Sequence, residues 1–421
     1  MTTVRRVVAA RRAERQILCD GFTKLFRSTL LANTGDGLAL AAGPLLVESV
    51  SRSPVVIAAA GACRVAPPLV LGLLAGVASD THDRPSLVSR LNYLRCVLLL
   101  VLVMAISTGH ASVPVILSAL LLLSAAETFI DNAYSAILPE VVTPADLGVA
   151  TAKLQAAFIT SNLLAGPAIG SLLFGLGAAS PFIAQAILVA AGAHTIRSII
   201  ARKPASECEP PIRQRIRLGI SYVRSTTEVR VLVQTITVMN VAYGIYLGNF
   251  VLFARATLGV STAMYGSILT TGSFGGLLGT LLYRRIRLLF SEGSLMRIGL
   301  VIETAFYGLL ASVQSWQQVF PLFAVFGFHL AVWATTYNTI RQRLVPLELQ
   351  GRVGSVNLVF AQGAALIGTG IAGATGSLLG QRGVLWLAAA LGASGTAVLW
   401  RQLSQLGSLA AEDPQPRQSS R

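Results

Sequence analysis

Long apolar runs separated by short polar breaks recur along nearly the whole chain. Each run reaches ~18 or more residues, enough to cross the ~30 Å apolar core of a bilayer as a helix. The breaks predict twelve helices, near 26–49, 54–78, 86–107, 113–137, 149–176, 180–200, 230–254, 262–283, 294–313, 318–339, 353–379 and 384–403. The runs do not alternate polar and apolar residues, which argues against a membrane β-barrel. An all-α membrane protein follows, and composition agrees: 53% of the 421 residues are hydrophobic and 12% are charged. A soluble domain carries roughly 25% charged residues.

The net charge of +15 does not form one basic patch, so nucleic acid is not the expected partner. The positive residues sit in alternate loops: Arg84; Arg202, Lys203, Arg213, Arg215, Arg217, Arg224 and Arg230; Arg284, Arg285, Arg287 and Arg297; Arg341, Arg343 and Arg352. The opposite loops hold Arg52, Arg255 and Arg382. That bias places both termini in the cytoplasm. The N-terminal Arg pairs run on into a full spanning helix with no small-residue cleavage site, so 1–25 reads as a retained tail.

Residues 201–229 form the longest polar stretch between helices, with a basic amphipathic run from Ile212 to Ser225. A linker with a helix lying on the inner membrane surface is expected there. It divides the chain into bundles at 26–200 and 230–403, followed by a cytoplasmic tail at 404–421. The halves echo each other at offsets of 202–203 residues: Gly76-x-x-x-Asp80 with Gly279-x-x-x-Tyr283, Tyr134-x-x-Ile137 with Tyr337-x-x-Ile340, and Pro144-Ala-Asp146-Leu with Pro346-Leu-Glu348-Leu. Three matches in order argue for a duplication.

Six charged residues lie inside apolar runs: Asp36, Arg64, Arg95, Glu127, Asp131 and Glu303. A lone Asp or Arg at the bilayer centre costs at least ~2.5–3.5 kcal/mol. At 1.5 Å per residue, Asp36 lies ~15 Å from the inner face, Arg95 ~14 Å and Asp131 ~9–10 Å, while Arg64 lies ~15 Å from the outer face. These heights suggest the pairs Asp36–Arg64 and Arg95–Asp131. Glu127 and Asp131, four residues apart, share one face of their helix. Glu303 is expected to snorkel or to pair with a neighbouring helix.

Four stretches carry a family likeness. They are Gly35-Asp36-Gly37 followed by Pro44; Leu74-Ala-Gly76-Val-Ala-Ser-Asp80-Thr-His-Asp83-Arg84; Glu127-Thr-Phe-Ile-Asp131-Asn132 running into Leu138-Pro139; and Leu164-Ala-Gly166-Pro167-Ala-Ile-Gly170. In these the chain resembles the major facilitator superfamily over its full length, within the bacterial drug- and siderophore-exporter branch that includes enterobactin and macrolide exporters. Thr81 and Pro85 depart from the basic residues usual in the second stretch, and Ser171 stands where a second Gly is common in the fourth.

The resemblance implies twelve transmembrane helices in two six-helix halves, with the site between the halves near the midplane. In that family helices 1, 4, 7 and 10 line the cavity. Asp36, Glu127 and Asp131 then become expected proton-coupling residues, with Arg64 and Arg95 as their charge partners. Gating falls to Gly76, Asp80 and Arg84, where the departures imply a weaker lock, and to Gly166, Pro167 and Gly170. Substrate contacts are expected from Asn240, Tyr243, Tyr246, Trp333, Tyr337, Asn338, Asn357 and Gln362, neutral groups that orient an amphipathic ligand in an apolar pocket. His329 reads as a packing histidine.

The expected activity is secondary transport: export of a small amphipathic compound in exchange for protons across the cytoplasmic (inner) membrane by a monomer. Uptake or lipid movement on the same fold, or a membrane sensor or scaffold, are the alternatives. No P-loop and no His-Glu-x-x-His are present, and Asn33 breaks the Gly-x-Gly-Asp pattern of intramembrane aspartyl proteases. An enzyme is therefore not expected, and neither is a cofactor. Cys19, Cys63, Cys96 and Cys208 lack metal-type spacing.

Overall fold

The computed structural model describes residues 2–143, 146–199, 212–346 and 349–409, with side chains left undescribed at 2–19, 212–216 and 404–409. Every secondary-structure element among the described residues is helical. The linker at 201–211, including Cys208, and parts of the repeated Pro-containing motifs, Ala145 and Glu348 among them, fall outside this set.

The first five elements are α1 (Thr2–Val50), α2 (Pro54–Thr81), α3 (Arg84–Ser107), α4 (Val113–Val141) and α5 (Leu147–Phe158). A π-helical stretch, Ile159–Ala165, joins α5 to α6 (Gly166–Leu176), and α7 (Ser180–Ile196) follows. The later elements are α8 (Ile212–Ser225), α9 (Thr227–Leu247), α10 (Phe250–Leu252), α11 (Thr262–Leu289), α12 (Glu292–Ser312), α13 (Val319–Leu344) and α14 (Gln350–Leu409). A second π-helical stretch, Phe253–Thr257, follows α10.

Nine of the described helical stretches are long and apolar enough to cross a membrane. Three differences separate the nine from the twelve runs read in the sequence, and the first is that the eighth run, α11 (Thr262–Leu289), is not among the nine. The sixth run holds a helix of only 17 residues, Ser180–Ile196. The eleventh and twelfth runs are the two helical arms of α14, which meet without an intervening loop at Gly380, where φ is 66°. Only glycine adopts that left-handed conformation without strain, so the break between these runs is a glycine bend and not a loop. At the other end, the run expected to begin at 26 lies inside a helix continuous from Thr2.

The chain separates into two compact units: Met1–Glu209 with Val260–Thr270, and Pro210–Gly259 with Thr271–Arg421. In the first, Leu25, Val88, Ile130, Ala133, Ile137 and Ile196 pack as one buried cluster. In the second, Leu232, Met239, Met296, Leu300, Trp333, Tyr337 and Leu403 do so. The basic helix α8 is not simply a surface helix. Val223 is buried with Val229, Val233, Val345, Val353 and Val356, and Tyr222 Oη donates to the Leu344 carbonyl at 2.8 Å. Gly219 lies so close to α14 that a Cβ there would meet the Arg352 carbonyl oxygen at 2.8 Å. An amphipathic period fits a protein groove as well as a membrane surface, so the sequence alone did not separate the two.

Candidate functional site

Glycines set up the polar centre of the first unit. A Cβ on Gly35 would meet Gln185 Cγ at 3.2 Å, and one on Gly37 would meet the Ser161 and Asn162 carbonyl oxygens at 2.7 Å. A Cβ on Gly166 would lie 2.4 Å from Gly37 Cα, and one on Gly170 would lie 2.2 Å from the Leu38 carbonyl oxygen. The Gly-Asp-Gly and Gly-Pro stretches are therefore two sides of one backbone contact. It brings α1 against α6 and α7 around Asp36.

Asp36 pairs with Arg95, whose side chain is 1% exposed against 12% for Asp36. Gln185 Nε2 donates to the same carboxylate oxygen at 3.1 Å. Asn92, one turn before Arg95, accepts from Arg95 Nη1 at 3.3 Å. Arg95 Nε and Gln185 Oε1 are buried without a hydrogen-bond partner. A charged pair this buried persists only when paired and hydrogen-bonded.

The pairing corrects the sequence expectation. Asp36 meets Arg95 and not Arg64, and Arg95 does not ion-pair with Asp131. Asp36 and Arg95 had been placed at nearly equal height from the inner face; height along the membrane normal does not tell which helices are neighbours. Arg64 is exposed and forms no ion pair among the described residues. Glu127 is partly buried and Asp131 is exposed. Both lie within electrostatic range of Arg95, and Glu127 within range of Asp36 and Arg64. Next to this cluster, Ser28 Oγ and Tyr134 Oη bond at 2.8 Å.

The π-helical stretch before Pro167 makes side-chain-to-carbonyl bonds with neighbouring helices in both directions. Asn162 Nδ2 reaches the Asn33 carbonyl at 3.3 Å, and Thr270 Oγ1 donates to the Leu164 carbonyl at 2.7 Å.

At the α2–α3 turn Arg84 is 10% exposed and pairs with Glu140, and with Asp80 at 3.2 Å, itself 69% exposed. Arg84 Nε donates to the Ser79 carbonyl at 2.9 Å. Asp83 caps α3 by accepting from the Ser86 N–H at 3.0 Å, and Pro85 occupies its first turn. Proline suits that position because the missing N–H would be unpaired anyway. The departure at Pro85 is thus a helix start. Gly76 faces open space: a Cβ there would meet nothing within 4 Å. It is not a close-packing glycine. Glu140 was missed in the sequence, although it directly follows the quoted Leu138-Pro139.

The expected ligand contacts divide. Tyr246, Trp333 and Tyr337 are core residues of the second unit, 5%, 7% and 2% exposed. Tyr246 sits among Phe250, Phe306, Tyr307, Phe323 and Phe326. Trp333 stacks on Tyr337 with ring centroids 5.2 Å apart, and Tyr337 donates to Asn357 Oδ1. These three aromatics fill the bundle and are not on an open wall. Asn240, Tyr243, Asn357 and Gln362 are partly buried, and Asn338 is exposed. Asn240 and Asn338 donate to carbonyls of their own helices, at 2.8 Å to Ile236 and 3.0 Å to Ala334.

A family model described as "Transmembrane secretion effector" (MFS_3) matches residues 17–420. The chain belongs to this family. The secretion-effector protein is similar in structure to a mutant form of the nucleoside transporter NupG, with a TM-score of 0.73 at 12% identity over 92% of this chain and 99% of that one. It is similar to a bacterial homologue of the iron transporter ferroportin, with a TM-score of 0.69 at 14% identity over 91% and 98%. A bacterial homologue of the human lysosomal transporter Spinster gives 0.67 at 12% identity over 94% and 95%. These likenesses establish the fold. A search of curated proteins finds no match. The protein is a multi-pass membrane transporter of the major facilitator fold, not an enzyme.

Proposed function

We propose that this transporter is a proton-coupled antiporter that exports a small amphipathic compound by alternating access. It would act as a monomer in the cytoplasmic membrane, with twelve spans and both termini inside. The observation that carries the reading is Asp36. Its carboxylate is held by a fully buried arginine, and two further carboxylates, Glu127 and Asp131, lie within electrostatic range of that arginine. An exposed Asp at the depth of Asp131 would be costly against lipid, which argues that it faces water. Protonating a carboxylate in this cluster releases its hold on Arg95, and that change can be coupled to a conformational step.

Arg84, Asp80 and Glu140 act in this reading as a gate lock, with Gly166, Pro167 and Gly170 as the point where α1 and α6 flex. Among the neutral residues, Asn240, Tyr243, Asn338 and Gln362 retain the accessibility to touch a ligand. Tyr246, Trp333 and Tyr337 would serve by shaping the wall behind them.

Proteoliposomes test the proposal. An imposed pH gradient should drive uptake of ethidium or rhodamine 6G, or of a catecholate siderophore, into inside-acidic vesicles. Asp36→Asn and Glu127→Gln should abolish gradient-driven movement while leaving downhill exchange measurable. A pH gradient that moves none of these probes would reject the antiport reading.

A further inference from the structure

The second unit holds an ionisable cluster of its own. Glu303 on α12 is 5% exposed and His329 on α13 is 4% exposed. Tyr307 Oη, one turn along α12, donates to Glu303 Oε1 at 2.9 Å. The other carboxylate oxygen, Oε2, faces His329 Nε2 at 3.8 Å. That distance is too long for a hydrogen bond. Among the described residues His329 Nε2 has no hydrogen-bond partner, and neither has the buried Trp333 Nε1.

Gly299 makes the space. A Cβ there would meet Trp333 Cδ1 at 2.3 Å and His329 Cε1 at 3.0 Å, so both rings seat in one notch against α12. Phe306 and Phe326 stack beside them with centroids 4.0 Å apart. From α9, Tyr243 and Tyr246 lie within electrostatic range of Tyr307. On α12, Arg297 is stacked over Trp400 at 5.3 Å. Across from α12, α14 offers Thr396 to Thr304 at 3.3 Å and Ala389 near Gly308. Its Arg382 donates to the Ala311 and Val313 carbonyls at 2.5 and 2.7 Å, at the far end of α12. No arginine or lysine among the described residues pairs with Glu303.

We propose that Glu303 and His329 form a second proton-binding site, built in the second unit and separate from the Asp36–Arg95 cluster. The chemistry is that of a carboxylate and an imidazole sharing one proton in an apolar surround. With one proton the pair is neutral overall, either as carboxyl and imidazole or as carboxylate and imidazolium. The 3.8 Å gap is short enough for strong coupling and long enough for a small movement of α12 against α13 to change which partner holds the proton. Occupancy is transmitted along one face of α13, where His329, Trp333 and Tyr337 recur every four residues, and on to Asn357 through its bond with Tyr337. The site does not depend on the antiport reading, because its protonation is measured directly.

The test uses the full-length protein in nanodiscs with Trp333 as its only tryptophan, made by Trp316→Phe, Trp386→Phe and Trp400→Phe. Emission is recorded from pH 5 to 9. An imidazolium beside the indole should quench it, giving one sigmoidal step. His329→Gln should remove the step. Glu303→Gln still accepts from Tyr307 but lacks the carboxylate that shares the proton, so it should displace the midpoint. Asp36→Asn should leave the midpoint unchanged.

A second measurement covers a variant that fails to fold. His82, His110 and His194 are all exposed; replacing them with Gln leaves one labelled histidine for NMR, with both cluster residues intact. It should titrate within the same range and at the same midpoint. The proposal is overturned by an emission that does not change with pH together with an NMR resonance that does not titrate. It is equally overturned by a step that survives His329→Gln, or by a midpoint that Glu303→Gln leaves in place.

Discussion

Breaking the Asp36–Arg95 pair from one side should cost more than removing it whole. In Arg95→Met, Asp36 keeps Gln185 Nε2 at 3.1 Å and loses its only ion-pair partner among the described residues. In Asp36→Leu, Arg95 stays 1% exposed, with Asn92 Oδ1 as its hydrogen-bond acceptor and without its ion-pair partner. Removing one member of a buried pair costs about 3–5 kcal/mol, because the other charge is stranded. At ~2–4 °C per kcal/mol for a unit of this size, each single variant should melt roughly 6–20 °C lower. Asp36→Leu/Arg95→Met strands neither member of the pair, and a hydrophobic replacement of this kind is often neutral. Its melting point should return most of the way to wild type. Arg64→Met is the comparison: its side chain is exposed and forms no ion pair among the described residues, so a shift below ~0.5 kcal/mol is expected. Thermal melting of the four proteins in one detergent closes the cycle. If the single losses add within ~0.5 kcal/mol, the two residues do not form an energetic unit and the reasoning fails. A stable but inactive double variant in the vesicle assay would separate the pair's role in transport from its role in folding.

Other expectations follow from the same geometry. Gly170→Ala should cost ~1–3 kcal/mol by overpacking, because its Cβ would sit 2.2 Å from the Leu38 carbonyl oxygen; yield and melting point report it. Gly76→Ala should be neutral or stabilise by up to ~1 kcal/mol, because its Cβ meets nothing within 4 Å; a loss of melting temperature would count against open space there. At the α2–α3 turn, Glu140→Gln should lower the melting point more than Asp80→Asn does, since Glu140 is 11% exposed and Asp80 69%. The exposed pair is worth under about 1 kcal/mol. Tyr222→Phe should loosen α8 by ~1 kcal/mol, seen as faster amide exchange over 217–225 with little change in α4.

Hydropathy located the helices because spanning length is a property of consecutive residues. The break between the runs ending at 379 and beginning at 384 falls on Gly380; hydropathy did not show that a single residue of positive φ, with no loop, makes it. The first-unit cluster was legible in part. Asp36 and Arg95 stood out as charges in apolar runs, and rise per residue put them at one height. Azimuth was missing, so the partner was misassigned, and Gln185 and Asn92 were overlooked as ordinary polar residues. The spacing Asn92-x-x-Arg95, which puts both side chains on one helix face, was a signal available in the chain.

The cluster in the second unit was discounted for a related reason. Glu303 was read alone, as a residue that would snorkel or pair with a neighbouring helix. Two stripes at four-residue spacing would have said more: Gly299, Glu303 and Tyr307 on α12, and His329, Trp333 and Tyr337 on α13. Each puts an ionisable group and an aromatic on one face, and only packing α12 on α13 shows that the faces meet. The duplication sharpens the point. Arg84 and Glu140 correspond by sequence offset to Arg287 and Arg343, and there the like charges are held by Glu292, which binds both, Arg287 at 3.0 Å. That helix-end ion pairing is present in both halves with its signs rearranged. The interior clusters have no such counterpart. Asp36, Arg95 and Glu127 correspond to Met239, Ile298 and Leu330, while Glu303, His329 and Tyr307 correspond to Leu100, Ala126 and Met104. Charge in an apolar interior is costly enough to be lost unless something retains it. Two clusters at non-equivalent positions are therefore better explained as separate acquisitions than as remnants of one ancestral site.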